Sequence, residues 1–359
     1  MAYTTIDNPE LYFQTKIFTG NQSTLVVTFD GSENLQPDLV WIKNRDDNYN
    51  HSLFDSVRGA TKRLASNAAI AEATVAATLT AFNSNGFALG NDTTSNAPSN
   101  SHASWNWKTG TAFSNDASST SVGSIDSVGS VNTDAGFSIM SYTGTGSAGT
   151  VAHGLGAIPK FIIIKGITNT SAENWRVFHQ DVSNGRLILN DVKPAANSTD
   201  FGANGSGGTI TQNQHYFSIG TDARVNADGA SYIAYVFAEK QGYSKFASYT
   251  GNGDVNGTFV YTGFKPAFVI VKNTSINENW SMHDQKRNKI VAPNFARLAP
   301  DDNQVEAANT TFAKVELLSN GFKLGGTADV INDASVKFIF MAFAENPFVT
   351  SGGVPATAR

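Results

Sequence analysis

The residues best suited to chemistry are histidines and aspartates that follow tryptophan on short apolar segments. Asn174-Trp-Arg-Val-Phe-His179 leads to Asp181, and Asn279-Trp-Ser-Met-His-Asp284 carries His283 beside Asp284. A histidine and a carboxylate within hydrogen-bond reach could do general acid–base work. Neighbours on a regular strand face opposite sides, so His283 and Asp284 could not act as a pair there. The alternative is that Trp175 and Trp280 pack into a core while the His and Asp fix the following turn. Trp105 and Trp107, in Ala103-Ser-Trp-Asn-Trp-Lys108, share one strand face. Rings beside amides suit stacking on sugars as well as core packing. Trp105, Trp107, Trp175, His179, Trp280, His283 and Asp284 are therefore the candidate ligand contacts, and no residue is assigned a catalytic role.

No other motif supplies a reaction. HExxH, GxSxG and a P-loop are missing from the chain, and the glycines of Gly144-Thr-Gly146 and its relatives follow the repeat and read as turns rather than as a dinucleotide fingerprint. Arg45-Asp-Asp-Asn-Tyr-Asn50 and Pro300-Asp-Asp-Asn303 offer oxygen ligands of the type Ca²⁺ accepts, but at no known loop spacing. Side chains bonding their own loop backbone account for them as well. With no cysteine there is neither a disulfide nor a thiolate site. No metal or cofactor is expected.

The elements that must position these residues come in three copies. Each copy opens on an aromatic-Thr-Gly turn: Phe18-Thr-Gly20, Tyr142-Thr-Gly144 and Tyr249-Thr-Gly251. A Pro-led apolar segment ending in Lys follows: Pro37-Asp-Leu-Val-Trp-Ile-Lys43, Pro159-Lys-Phe-Ile-Ile-Ile-Lys165 and Pro266-Ala-Phe-Val-Ile-Val-Lys272. A continuous run of this kind suits a strand covered on both faces, and Lys43, Lys165 and Lys272 would mark an edge where the chain returns to water. Asn-Gly between apolar runs, in Phe82-Asn-Ser-Asn-Gly-Phe87 and Leu318-Ser-Asn-Gly-Phe322, signals hairpins. The second copy lacks that signal and carries Asn204-Gly-Ser-Gly-Gly208 instead. The alanine-rich 67–82 could hold a short helix, with its last third a strand.

The period of roughly 110–120 residues is that of a domain rather than a solenoid turn. Abundant Gly, Ser, Thr, Asn and Asp around Phe, Tyr, Val and Ile point to an all-β chain of antiparallel β-sandwich domains, jelly-roll or lectin-like, in tandem. The expected boundaries are a docking segment at 1–16, sandwiches at 17–109, 137–240 and 243–348, a Ser/Gly-rich linker at 110–136 and a loose tail at 349–359. Tyr3, Tyr12 and Phe13 would be the docking residues, and the linker would let the first domain move.

A formal charge of −5 with pI near 5.7 and no basic stripe argues against nucleic acid. No run of about 18 apolar residues argues against a membrane span, and the N-terminus does not read as an export signal.

Asn8-Pro-Glu-Leu-Tyr-Phe-Gln-Thr-Lys-Ile-Phe-Thr-Gly20, Gln36-Pro-Asp-Leu-Val-Trp-Ile-Lys-Asn-Arg45, Leu53-Phe-Asp-Ser-Val-Arg-Gly-Ala60 and His153-Gly-Leu-Gly-Ala-Ile-Pro159 resemble a family of repeat-bearing virion proteins of marine bacteriophages. The resemblance runs through nearly the whole chain. It implies a structural protein of the virion, on tail or capsid surface, and brings no active-site residues. The expected role is a tail fibre or adhesin attaching to host-surface polysaccharide, with other virion proteins as partners and a homo-oligomer, a trimer, as the assembly. A capsid decoration or tail connector protein is the alternative, and a glycan-degrading enzyme, needing two carboxylates about 5–10 Å apart, the third.

Overall fold

The Pro-led segments become the third strand of a sheet whose strand order recurs three times. In a computed structural model describing residues 2–168, 173–183, 185–202, 212–287, 296–308 and 313–356, Phe13–Thr19, Ser101–Trp107, Leu39–Asn44 and Ser52–Asp55 lie side by side in that order. Phe137–Thr143, Ser231–Phe237, Phe161–Thr168 and Arg176–His179 repeat the arrangement, as do Ser244–Thr250, Lys337–Pro347, Phe264–Asn273 and Ser281–Asp284. Every pairing in these sheets is antiparallel. The protein is all-β, as its composition requires, and among the described residues no helix is long and apolar enough to cross a membrane.

Each main sheet is covered on one face by a smaller sheet. In the first repeat this is Leu25–Thr28, Gly86–Leu89 and Leu79–Asn83; in the second, Gly149–Ala152 with Tyr216–Ile219; in the third, Asn256–Tyr261, Gly321–Gly325 and Lys314–Leu318. Val40, Ile42 and Phe54 meet Val27, Leu79 and Phe87 in one such sandwich, and Ile162, Ile164 and Val236 meet Val151, Phe217 and Ile219 in another. Both Asn-Gly hairpins form where the sequence places them, and Gly86 takes a φ of 115° that a side chain would strain.

The other face of each main sheet turns toward the other repeats. Trp41, Trp105 and Trp107 of the first, Ile163, Tyr235 and Phe237 of the second, and Phe268, Met341 and Phe343 of the third belong to one continuous cluster. This is why the Pro-led strands are apolar on both sides. It also corrects the picture of a first domain free to move: the Phe13 ring stacks on Phe343 at 5.4 Å between centroids and lies 5.8 Å from Phe268.

Several other expectations are corrected. The segment 110–136 is not a bare linker; Thr111–Asn115 and Ser127–Asn132 pair with each other, and the latter adds to Phe137–Thr143. Only alternate residues of Ser127–Asn132 are buried, so an edge strand forms from a Ser/Gly composition that resembles a linker. No helix forms in 67–82, whose last part is the strand Leu79–Asn83. Lys43, Lys165 and Lys272 are fully buried rather than at a wet edge, with Nζ donating to backbone carbonyls of Asn44 and Asp47, of Glu173, and of Val192 and Glu278. Burial draws all three amines down to about 8. The tail is tied down at Ser351, whose backbone N–H donates to Asp7 Oδ1 at 2.6 Å. Asn204–Gly208 lies outside the described residues.

One recurrent device escaped the sequence reading. Short helices Thr93–Asn96, Ala223–Asn226 and Asp329–Asn332 each end on a buried asparagine. Asn96 accepts from Asn21 N–H at 2.8 Å and donates to the carbonyls of Ser23 and Gly90 at 2.7 Å each. Asn226 and Asn332 repeat the pattern with Thr145, Ser147 and Gly220, and with Asn252, Asp254 and Gly326. A single amide thereby anchors the aromatic-Thr-Gly turn that opens every repeat.

Candidate functional site

Of the Trp, His and Asp residues selected for chemistry, all but His283, which bonds within its own repeat, converge on the seams between repeats. Register aligns Asp55, His179 and Asp284, each opposite the Pro-led strand at Leu39, Phe161 and Phe268. Four residues earlier stand His51, Trp175 and Trp280, and each reaches into a neighbouring repeat. His51 Nε2 lies 3.0 Å from Ala299 O, Trp175 Nε1 donates to Ala65 O at 2.8 Å, and Trp280 Nε1 donates to Ile188 O at 2.9 Å. Ala65, Ile188 and Ala299 are equivalent, each following or pairing beside the residue bridged to Leu53, Val177 or Met282. The first repeat thus holds the third, the second holds the first, and the third holds the second. A directed ring of hydrogen bonds closes the molecule on itself.

A second ring uses the aspartates. Trp105 Nε1 donates to Asp284 Oδ2 at 2.9 Å and Tyr235 OH donates to Asp55 Oδ2 at 2.7 Å, while in the third seam His179 Nε2 lies 3.4 Å from Phe340 O. Burying a carboxylate in an apolar seam is costly unless it is paired. Asp55 is paired with Arg58 at 2.6 Å, which also reaches Glu72 at 3.0 Å; Asp284 is paired with Arg287 at 2.5 Å, which also reaches Glu306 at 2.9 Å. Glu306 continues to Arg45 of the first repeat, and both guanidiniums hold its carboxyl below the usual range. In the third seam Val182 occupies the arginine's place, and the carboxylate is replaced by His179.

These positions exclude the sugar-contact role considered for them. Trp105, Trp107, Trp175, Trp280, His179, His283 and Asp284 are all buried, none more than 1% exposed. Neither His–Asp couple forms a catalytic pair: His179 Nδ1 accepts the Asp181 backbone N–H at 3.0 Å, and His283 Nε2 lies 2.7 Å from Ser281 Oγ. The docking residues also act within the chain. Phe13 is in the shared core, Tyr12 lies edge-on to Tyr243 at 5.9 Å, and Tyr3 OH donates to Gly263 O at 2.7 Å. The loops at 45–50 and 300–303 face each other across the first–third seam, where Asn303 Nδ2 donates to Asn48 O. Their carboxylates accept backbone N–H groups, Asp46 from Ser101 and Asp302 from Gln304. Among the described residues no group of three or more His, Cys, Asp or Glu is placed to hold a metal ion.

Among the described residues, exposed large aromatic rings stand on an outer sheet of the third repeat. Phe259 and Tyr261 alternate along Asn256–Tyr261 and are 45% and 54% exposed, on either side of buried Val260. Tyr261 lies opposite Gly321, and the Phe259 ring tip overhangs that glycine. The Tyr3 hydroxyl lies 3.4 Å from the Tyr261 hydroxyl, and Lys323 Nζ is bonded to Asn256 Oδ1 beside Phe259. Register places Val26 and Thr28, and Thr150 and Ala152, at the same positions of the other repeats. The fold therefore does not require rings there. The sequence offered a signal in Gly257-Thr-Phe-Val-Tyr261, an alternating strand with aromatics on its polar face. An open cleft on the second repeat is lined by Ser114, Asp116, Asp126, Ser141 and Thr143. Its two carboxylates already accept backbone N–H groups, Asp116 from Ser118 and Asp126 from Ala117.

No curated protein and no solved structure matches this chain. One family model does, over residues 8–347, which is most of the chain. The three-repeat ring built on the seams above thus falls within a single family unit, and the chain belongs to the family described as Domain of unknown function (DUF7483).

Proposed function

We propose that this protein is a structural component of a bacteriophage virion, a tail fibre or adhesin, that acts without catalysis by attaching to a host-surface polysaccharide. The observation that carries the reading is the solvent-facing pair Phe259 and Tyr261, set on a braced strand at positions where the other repeats carry no ring. Ring faces stack on pyranose faces, and the flanking Asn256, Lys323 and Tyr3 offer hydrogen-bonding groups to hydroxyls. Successive same-face positions on a strand are about 6.8 Å apart, a spacing that lets two rings meet neighbouring sugar units. The resemblance in sequence to repeat-bearing virion proteins supports the setting. So does the chemistry of the seams, whose buried His, Asp and Arg are spent on holding repeats together rather than poised for a substrate. Other virion proteins are its partners on this reading, and several copies on one particle would add avidity to weak individual contacts.

Two measurements test it together. A cryo-EM map of the intact particle should place the chain projecting from the tail with the Phe259 face outward. Retention of the purified protein on immobilised bacterial surface polysaccharide should be lost in Phe259→Ala and Tyr261→Ala. A chain lying flat on the capsid or buried in the tail, with no retention, would make it a decoration or connector protein instead.

A further inference from the structure

We propose that the ring is acid-sensitive at two of its three seams, so that protonation of His51 and His179 releases the third repeat from the other two while the first–second seam stays closed. The argument rests on the bonding of each imidazole. His51 Nδ1 accepts from Trp41 Nε1–H at 2.9 Å, and an indole nitrogen can only donate, so the proton of the neutral ring sits on Nε2 and points at Ala299 O of the third repeat. His179 is held in the same way, with Nδ1 accepting the Asp181 N–H at 3.0 Å and Nε2 facing Phe340 O of the third repeat. A second proton on either Nδ1 would set two N–H groups against each other and break the clamp. Both rings are fully buried, so no water can relieve the charge.

The surroundings oppose the added charge at His51 and partly favour it at His179. Lys43 and Arg287 face His51 as cations, with the backbone of Ala299 and Asp302 as acceptors. His179 faces Asp181 and Lys337, lies edge-on to Phe161, and is held down to about 4 chiefly by burial. The other charged groups of these seams survive mild acid. Glu306 stays ionised below the usual carboxylate range, so its bonds to Arg45 and Arg287 persist. Asp301, beside Trp280 and Lys272, is held up at about 7 and takes its proton without strain.

The repeats themselves show that histidine is not a structural necessity here. Where the first repeat has His51 the others have Trp175 and Trp280, and where the second has His179 the others have Asp55 and Asp284. The first–second seam uses Trp175 to Ala65 O and Tyr235 to Asp55, with no histidine at either position.

Hydrogen exchange of the full chain between pH 7.5 and 4.5, corrected for intrinsic rates, tests the proposal. The seam amides of Glu306, bonded to Arg45 O, and of Ala195, bonded to Thr274 O, report the two seams of the third repeat. Each histidine should raise opening about tenfold per pH unit below its ordinary value. Protonation of Asp301 offsets one such factor, leaving a net gain of at least about tenfold per unit at these amides. Main-sheet amides should stay protected. Because the third repeat leaves both partners in one opening, the double variant Trp41→Ile/His51→Trp, copying Ile163 and Trp175, and the variant His179→Gln should each remove about one tenfold factor per pH unit at both amides. Simultaneous exposure of all amides, or an unchanged response in folded variants, would overturn the proposal. If a variant does not fold, the wild-type order of exposure decides alone: seams before sheets supports it, and the reverse sinks it.

Discussion

Replacing Tyr235 by Phe removes one oxygen from the first–second seam and nothing else. The ring is buried on all sides, so the phenylalanine fills the same space, and what is lost is the 2.7 Å bond from the hydroxyl to Asp55 Oδ2 together with the long 3.5 Å one the hydroxyl accepts from Arg58 Nη2. Asp55 keeps Arg58 Nε at 2.6 Å and the Arg58 backbone N–H at 2.8 Å, so its charge stays compensated. A hydrogen bond to a charged partner contributes about 1.5–3 kcal/mol. For 359 residues melting as one unit, an unfolding entropy of about 2.1 cal/mol/K per residue gives roughly 0.75 kcal/mol/K. The melting temperature should therefore fall by about 2–4 °C. Calorimetry and denaturant titration of the wild type, Tyr235→Phe, Asp55→Asn and the double variant close a cycle that isolates the pair. A loss below about 0.5 kcal/mol in Tyr235→Phe, or no coupling in the cycle, would refute the claim that this buried bond ties the first two repeats together.

Three further outcomes follow from the buried polar groups. Asp301 does in the third repeat what Asn67 and Asn190 do in the others, accepting the backbone N–H of Trp280 as they accept those of His51 and Trp175. Its folded value of about 7 lies above the unfolded one, so the ionised form is penalised above that pH and the penalty vanishes below about pH 4. Asp301→Asn should thus stabilise by about 1–3 kcal/mol at pH 8 and by nothing near pH 4, read from denaturant midpoints. Lys43, Lys165 and Lys272 titrate near 8 when folded and higher when unfolded, so the unfolded chain holds more protons between about pH 8 and 10. Their contribution to stability should rise with pH over that window, and Lys165→Met should flatten the slope. Asn96→Ala strands the Asn21 N–H and the carbonyls of Ser23 and Gly90, at a cost of about 2–4 kcal/mol in thermal or denaturant unfolding.

Much of the architecture was legible because it is local. Alternation, Asn-Gly turns and Pro-led runs are written in neighbouring residues, and a strand apolar on both faces must be covered twice. The same runs say nothing of what does the covering. Trp105 meets Asp284 across 179 residues of chain, and Tyr235 meets Asp55 across 180; no local pattern couples such positions. That blindness made the buried tryptophans look like possible sugar platforms, and the buried lysines like a wet edge. The segment 110–136 misled for the opposite reason, since an edge strand buries one face and tolerates a polar composition on the other. The sequence by itself determined the repeated strands, their antiparallel hairpins and their threefold recurrence, because these follow from periodicity and turn stereochemistry. Only the tertiary structure decided that the repeats close into a ring, which polar groups the seams consume, and which rings are left facing water, because burial is a property of the whole assembly of sheets and not of any one strand.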